Sequence, residues 1–268
     1  MKTTSSLVSV EWLHKNLNAP NLIVLDGSMK KVTYSSNELL NIQIPNSLFL
    51  DIKNKFSDVN AQFPNTVPSE TQFTQEAQNL GINNNSFIVV YDDKGIYSSA
   101  RVWWLFKAFG FKNVAVLDGG LPEWIASDYT TEKKTNRLVD KGNFIAKYNP
   151  KYFKFFKDIQ ILKDDSSCLI LDARNASRFN GEVEEPRVGL RSGHILNSKS
   201  LPYTSLFNGD ILKPKAELKQ IFDALINKEK KLVFSCGSGI TACVLALAAE
   251  LSGIDNISVY DGSWTEYG

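Results

Sequence analysis

The sequence predicts an α/β fold built twice, with each half a largely parallel sheet flanked by helices. Three observations carry this. Short β-branched or apolar runs alternate with stretches of helical character, the pattern of a parallel sheet with helical crossovers. The chain also resembles itself. Val24-Leu25-Asp26-Gly27 matches Ile170-Leu171-Asp172-Ala173, and Ile44-Pro45-Asn46-Ser47 matches Ile195-Leu196-Asn197-Ser198. Val89-Val90-Tyr91-Asp92 matches Val233-Phe234-Ser235-Cys236, and Val116-Leu117-Asp118-Gly119 matches Val259-Tyr260-Asp261-Gly262. The offsets of 146, 151, 144 and 143 residues drift slowly, as short insertions make a duplicated unit drift. Third, 268 residues suffice for two domains of ordinary size, each able to bury a core.

The elements follow in order. MKTTSSLVSVEWLHKN has no apolar core of signal-peptide length and reads as the lead-in to a first helix. Helices are predicted over 98–109, 214–227 and 241–252. The polar, repeat-free stretch Asp128 to Gly142 reads as the linker between an N-terminal domain, 1–127, and a C-terminal domain, 143–268. Crossovers are expected to be right-handed. Hydrophobic content of 43% with 22% charged residues is that of a globular chain, and a net charge of +1 gives no footing for nucleic acid or an anionic membrane surface. No apolar run reaches the ~18 residues of a membrane span. Three cysteines, at 168, 236 and 243, lack framework spacing and fit free thiols in a reducing compartment, the cytoplasm by expectation.

Ligands of open parallel sheets sit beyond the carboxyl ends of the strands. Cys236 lies at such an end, where the first half has Asp92. The site is therefore expected on the second half, at the groove between halves. After Cys236 come Gly237-Ser238-Gly239-Ile240-Thr241 and then an Ala/Leu-rich helix. Curled backbone N–H groups and a helix N-terminus behind a sulfur favour its thiolate. Glycines permit the curl, and Ser238 and Thr241 add hydroxyl donors. Such a loop suits covalent catalysis through sulfur. Cys168 on a strand and Cys243 in the helix read instead as small buried hydrophobes.

Several cysteine chemistries are disfavoured by what is missing. The Cys-x5-Arg spacing of cysteine phosphatases has Ala242 where the arginine belongs. A thioredoxin-type pair has Gly239 in place of its second cysteine. The chain has only His14 and His194, and His194 sits in a turn that reads as structural, so a papain-like base is not evident. Zinc has too few ligands at sensible spacing, and no metal or cofactor is expected.

The chain resembles the two-domain rhodanese family of sulfurtransferases along nearly its whole length, and within it the mercaptopyruvate branch. The six residues Cys236 to Thr241 match that branch's active-site loop, and Ser177 to Arg187 matches its two-arginine segment at Arg178 and Arg187. Arg101-Val102-Trp103-Trp104 and Asp261-Gly262-Ser263-Trp264 are further family marks. The resemblance implies tandem rhodanese-like domains, the second catalytic, and transfer of sulfur from 3-mercaptopyruvate to a thiol acceptor or cyanide through a Cys236 persulfide. It implies catalytic roles for Cys236, Ser238 and Thr241, and substrate contacts from Arg178, Arg187, Gly237, Gly239, Ile240 and Tyr97. Planar guanidinium forks suit a carboxylate donor. Arg174 reads as structural, and Arg101 as packing or an ion pair. Thioredoxin is the acceptor the family implies. The thiosulfate branch carries basic residues after its cysteine, which this loop lacks. Thiosulfate as donor remains the alternative, as does a persulfide carrier with little small-molecule turnover. Members of the mercaptopyruvate branch often place an Asp and a His near the loop serine. Here the corresponding stretch, 51–64, has no histidine, and Lys53 and Gln62 are expected at those positions.

Overall fold

The computed structural model of the chain describes residues 5–30, 41–227 and 231–268. Residues 1–4, the start of the N-terminal lead-in, fall outside that set. The chain forms two compact units. The first comprises Met1–Asp58, Val67–Asn149 and Gly209–Ile211; the second comprises Val59–Thr66, Pro150–Asn208 and Leu212–Gly268.

In the first unit, strands β1 (Leu7–Val8), β2 (Leu22–Asp26), β3 (Leu48–Phe49), β4 (Phe87–Tyr91) and β5 (Val114–Leu117) form one parallel sheet in the order β1-β5-β4-β2-β3. Its helices are α1 (Val10–Asn16), α2 (Glu70–Asn79), α3 (Ser99–Ala108) and α4 (Gly120–Ala126). In the second unit, β6 (Phe153–Lys154), β7 (Cys168–Asp172), β8 (Lys199–Ser200), β9 (Lys231–Ser235) and β10 (Ile257–Tyr260) form a parallel sheet in the order β8-β7-β9-β10-β6. Helices α5 (Phe156–Leu162), α6 (Ala176–Asn180), α7 (Lys215–Leu225), α8 (Ala242–Leu251) and α9 (Ser263–Tyr267) accompany it. Numbered from its own first strand, each sheet runs 1-5-4-2-3, so the duplication read from four short matches is a duplication of topology.

The match extends to single hydrogen bonds. Asn46 and Asn197 both adopt left-handed backbone, φ 66° and 61°. In each turn a serine hydroxyl donates back to an isoleucine carbonyl, Ser47 to Ile44 and Ser198 to Ile195, both at 2.6 Å. Asparagine tolerates this conformation better than other side chains.

The strands form because their side chains are covered on both faces. All five residues of β4 are buried, the mark of a central parallel strand. On one face Phe87, Val89 and Tyr91 meet Leu13, Ala115, Leu121 and Trp124. The second unit has its counterpart in Ile159, Ile170, Val233, Tyr260 and Trp264. Helices start where the sequence supplies acceptors for their first amides: Ser9, Ser69 and Asn175 accept from Trp12, Gln72 and Arg178. The three helices predicted from the sequence lie within two residues of α3, α7 and α8.

The stretch 128–142 lies against the first unit. Glu132 and Lys133 pair antiparallel with Gln43 and Ile42. Arg137 reaches Asn46 and Glu132, and the Gly142 amide bonds the Gln78 carbonyl at 2.8 Å. A Cβ on Gly142 would stand 2.1 Å from the Ile82 carbonyl oxygen, so its glycine is required by close packing. Polar composition alone does not reveal such backbone pairing. No described helix is long and apolar enough to cross a membrane.

Asp92, at the end of β4, is fully buried and accepts from the amides of Lys94, Tyr97, Ser98 and Ser99 at 2.8–2.9 Å. Burial pushes its carboxyl above the ordinary range, against the opposing pull of these amides. Asp92→Ala strands four donors and is expected to cost about 3 kcal/mol. Urea unfolding checks this, and a loss below about 1 kcal/mol would show that the loop holds its shape without the carboxylate.

Candidate active site

Strand β9 ends at Ser235, and Cys236 follows with 1% of its surface exposed. The loop then turns through Gly239, whose φ of 74° excludes a β-carbon at low cost, and enters α8 at Ala242. The N-terminus of α9 holds this loop from behind. The amide of Trp264 donates to the Cys236 carbonyl at 2.9 Å, and the amide and hydroxyl of Thr265 both donate to the Gly237 carbonyl. Ser263 ties the loop a second time: its oxygen accepts from the amides of Cys236 and Gly239 at 3.1 and 3.2 Å. Its proton goes to the Tyr260 carbonyl at 2.8 Å, a far better acceptor than the Cys236 sulfur 3.9 Å away. Among the described residues, the amides of Gly237, Ser238, Ile240 and Thr241 donate to no protein acceptor. Such amides are what an anion in the loop would bind.

Two arginines approach the loop, Arg178 from α6 itself and Arg187 from the segment that follows it. Asn175 caps that helix and Gly181, at φ 77°, ends it, which sets the direction of Arg178. Arg178 is held by Glu185 through Nε and Nη2. Glu185 is shared with Arg174, which also chelates Asp172 and lies 4.5 Å over the Trp264 ring. Arg174 is therefore built into the support of α9. Arg187 donates to Thr265 Oγ1 and Ser238 Oγ, each at 3.3 Å. A Cβ on Gly237 would lie 3.4 Å from Arg178 Nη2 and 3.8 Å from Arg187 Nη1. Both guanidinium groups thus come up to the loop at Gly237.

Cys236, Gly237, Ser238, Arg178 and Arg187 are accordingly gathered at one place. Gly239 and buried Ile240 shape the turn, and Thr241 precedes α8 without capping it through its side chain. Tyr97 belongs to the first unit, where its amide bonds Asp92. Cys243 is buried in α8 with its thiol 3.3 Å from the Gly239 carbonyl. Burial pushes the Cys168 thiol up to about 11, in line with a structural residue. His194 bonds the Phe179 carbonyl at 2.9 Å and stacks on the Phe179 ring. Among the described residues no cluster of His, Cys, Asp or Glu is suited to a metal ion.

The segment 51–64 does not supply the partner of Ser238 through Gln62, which is exposed. Asn65, just beyond that stretch, does so: its Nδ2 lies 3.0 Å from Ser238 Oγ and 3.3 Å from the Ser238 carbonyl. Sequence reasoning missed Asn65, Glu185, Thr265 and the tie made by Ser263. The repeat held a signal for Ser263, because its counterpart is Gly120. There a Cβ would stand 2.5 Å from the Asp92 carbonyl oxygen. Ser263→Ala removes the acceptor for two loop amides, and we expect a loss of about 2 kcal/mol with a matching loss of any activity of Cys236. Thermal unfolding measured beside a cysteine-dependent assay tests this; unchanged stability would assign the loop's shape to the Trp264 and Thr265 amides without the Ser263 hydroxyl.

The model of the rhodanese-like domain matches twice, over residues 9–127 and 157–268. The thiosulfate/3-mercaptopyruvate sulfurtransferase 1 (mitochondrial) of Arabidopsis thaliana is 38% identical, covering 100% of this chain and 77% of its own. The 3-mercaptopyruvate sulfurtransferase of Escherichia coli K12 is 34% identical, covering 99% and 96%. The crystal structure of SseA from Escherichia coli, described as a 3-mercaptopyruvate sulfotransferase with the rhodanese fold, superposes with a TM-score of 0.86. It has 33% identity and covers 97% of this chain and 99% of its own.

Proposed function

Because the chain belongs to the rhodanese family of sulfurtransferases, we propose that it transfers sulfur from 3-mercaptopyruvate to a thiol through a persulfide on Cys236. The observation that carries this is the loop itself: a buried cysteine followed by the amides of Gly237, Ser238, Ile240 and Thr241, which have no protein acceptor among the described residues, with Arg178 and Arg187 drawn up to Gly237. The names of the Arabidopsis and Escherichia coli relatives support the choice of donor.

In the first half-reaction the Cys236 thiolate attacks the sulfur of mercaptopyruvate. An S–S bond forms and the C–S bond breaks, its electron pair passing into the enolate of pyruvate. The proton carried by the substrate thiol ends on the enolate carbon, so Cys236 is left as a persulfide anion and pyruvate departs. In the second, a thiol donates its proton, attacks the outer sulfur and leaves as a persulfide, which restores the Cys236 thiolate. Cyanide takes the same sulfur as thiocyanate. The loop amides stabilise the persulfide anion as donors already in position, which require little reorganisation as charge arrives. Arg187 holds the substrate carboxylate, while Arg178, oriented by Glu185, lines the same approach. Gly239, Ile240 and Thr241 form the wall of the loop, and Tyr97 is assigned to the substrate side by resemblance. A dithiol protein of the thioredoxin type suits the acceptor role, and free cysteines at all three positions suit a reducing compartment such as the cytoplasm.

Thiosulfate as donor is the second reading. It is favoured by the two guanidinium groups near Gly237, which together suit a sulfonate.

Intact-mass measurement after brief exposure to each donor separates these readings. Mercaptopyruvate is expected to add one sulfur to wild type, mapped to Cys236, and none to Cys236→Ser. Cys243→Ser is expected to keep nearly full activity. Sulfur gained from thiosulfate alone would select the second reading. Arg187→Ala is expected to lower kcat/KM for mercaptopyruvate by about 10–100-fold, the loss of a charged hydrogen bond, and to affect thiosulfate less. Equal losses on both donors would remove its carboxylate role.

A further inference from the structure

The hydroxyl of Ser238 receives two hydrogen bonds from groups that donate. Asn65 Nδ2 stands 3.0 Å from its oxygen and Arg187 Nη2 stands 3.3 Å from it. A guanidinium has no acceptor. The orientation of the Asn65 amide is fixed independently, because the same nitrogen faces the Ser238 carbonyl at 3.3 Å and a carbonyl only accepts. Asn65 is itself well placed to impose this. It is 6% exposed, and its backbone is left-handed at φ 62°, a conformation that asparagine tolerates and most side chains do not. The segment that carries it, Val59–Thr66, is part of the second unit.

A hydroxyl has two lone pairs and one proton. Both lone pairs of Ser238 are engaged by donors, so its proton must point elsewhere, and among the described residues it goes to no protein group. We propose that Asn65 is a positioning residue that locks the Ser238 hydroxyl as a hydrogen-bond donor to the ketone oxygen of the sulfur donor. That oxygen gains negative charge as the C–S bond breaks and the enolate forms. Neither Asn65 nor Arg187 takes up a proton, so Ser238 acts by donating a hydrogen bond and its proton is not withdrawn by either neighbour. The inference rests on the mercaptopyruvate reading and names the group in this site that meets the developing enolate.

Asn65→Asp tests it with almost no change in shape. A carboxylate accepts the Ser238 proton and takes it from the substrate, whereas Asn65→Ala leaves the hydroxyl free to rotate. The expected result is a fall in kcat of about 100-fold, the scale of a lost oxyanion donor, for Asn65→Asp and about tenfold for Asn65→Ala, each with KM within about threefold. In a Ser238→Ala background neither change is expected to lower kcat further. A simple structural role would make the two variants alike and their losses persist without the serine. Gln62→Ala, in the same segment, is expected to match wild type. The proposal is overturned if Asn65→Asp retains wild-type kcat, or if its loss is undiminished in the Ser238→Ala background. Should Asn65→Asp not fold, Asn65→Ala with and without Ser238 decides by the same criterion. A wild-type chain that turns over thiosulfate but not mercaptopyruvate would refute the functional reading. The Asn65 role is then judged on thiosulfate, whose sulfonate oxygens are the acceptors, and falls if Asn65→Asp transfers that sulfur at the wild-type rate.

Discussion

The hydrogen bond from a helix start to a strand end organises both halves of this protein. In the second unit the first amides of α9 hold the Cys236 and Gly237 carbonyls. In the first unit the amide of Leu121, in α4, holds the Asp92 carbonyl at 3.0 Å. The bond holds the loop carbonyls against α9. A curl of amides buried at a strand end needs an acceptor. The first unit supplies one from its own chain: the Asp92 carboxylate accepts from residues two, five, six and seven places on. The second unit has a cysteine at that place, and the amides of Ser238 and Thr241, two and five places on, have no protein acceptor among the described residues. One duplicated loop therefore appears in a form filled by its own carboxylate and in a form whose amides two and five places on lack a protein acceptor among the described residues.

The support of α9 explains why so many charges surround an otherwise apolar region. Arg174 lies on Trp264, chelates Asp172 and reaches Glu185, which in turn holds Arg178. Buried ion pairs of this kind contribute little net stability, because desolvation offsets most of their attraction. Their value here is orientation. Asp172 at the end of β7 and Trp264 in α9 are both fixed by the core, so the chain of pairs carries that rigidity out to Arg178 beside Gly237. Arg187 uses a different anchor, the Thr265 hydroxyl, which also bonds the Gly237 carbonyl. The same short helix thus sets the loop backbone and one of the two guanidinium groups.

Much of the architecture was legible in the chain because duplication is a linear signal. Four matches at nearly constant offset announce two copies, and apolar runs such as Phe87 to Tyr91 announce central parallel strands. Cys236 stood out by the coincidence of strand end, glycine turn and helix start, all three being local properties. The neighbours of Ser238 were not legible in this way. Asn65 lies 173 positions from Ser238, in a segment that the contacts assign to the second unit although its sequence neighbours belong to the first. Counting along 51–64 therefore pointed to Gln62, which is exposed, while the contact is made by Asn65. The pairing of Glu132 and Lys133 with residues 42–43 was hidden for a related reason, since a polar stretch does not record where its backbone bonds go.

By itself the sequence determined the duplicated α/β design, the cysteine at the strand end and the glycines that let its loop turn, because those depend on local pattern and on backbone conformations few residues adopt. The tertiary structure alone decided which side chains meet that loop. Ser263 ties it, Thr265 and Arg187 share its edge, Glu185 aims Arg178, and Asn65 fixes the hydroxyl of Ser238. Each of these is a contact between residues remote in the chain, and a hydrogen bond a few ångströms long has no counterpart in linear spacing.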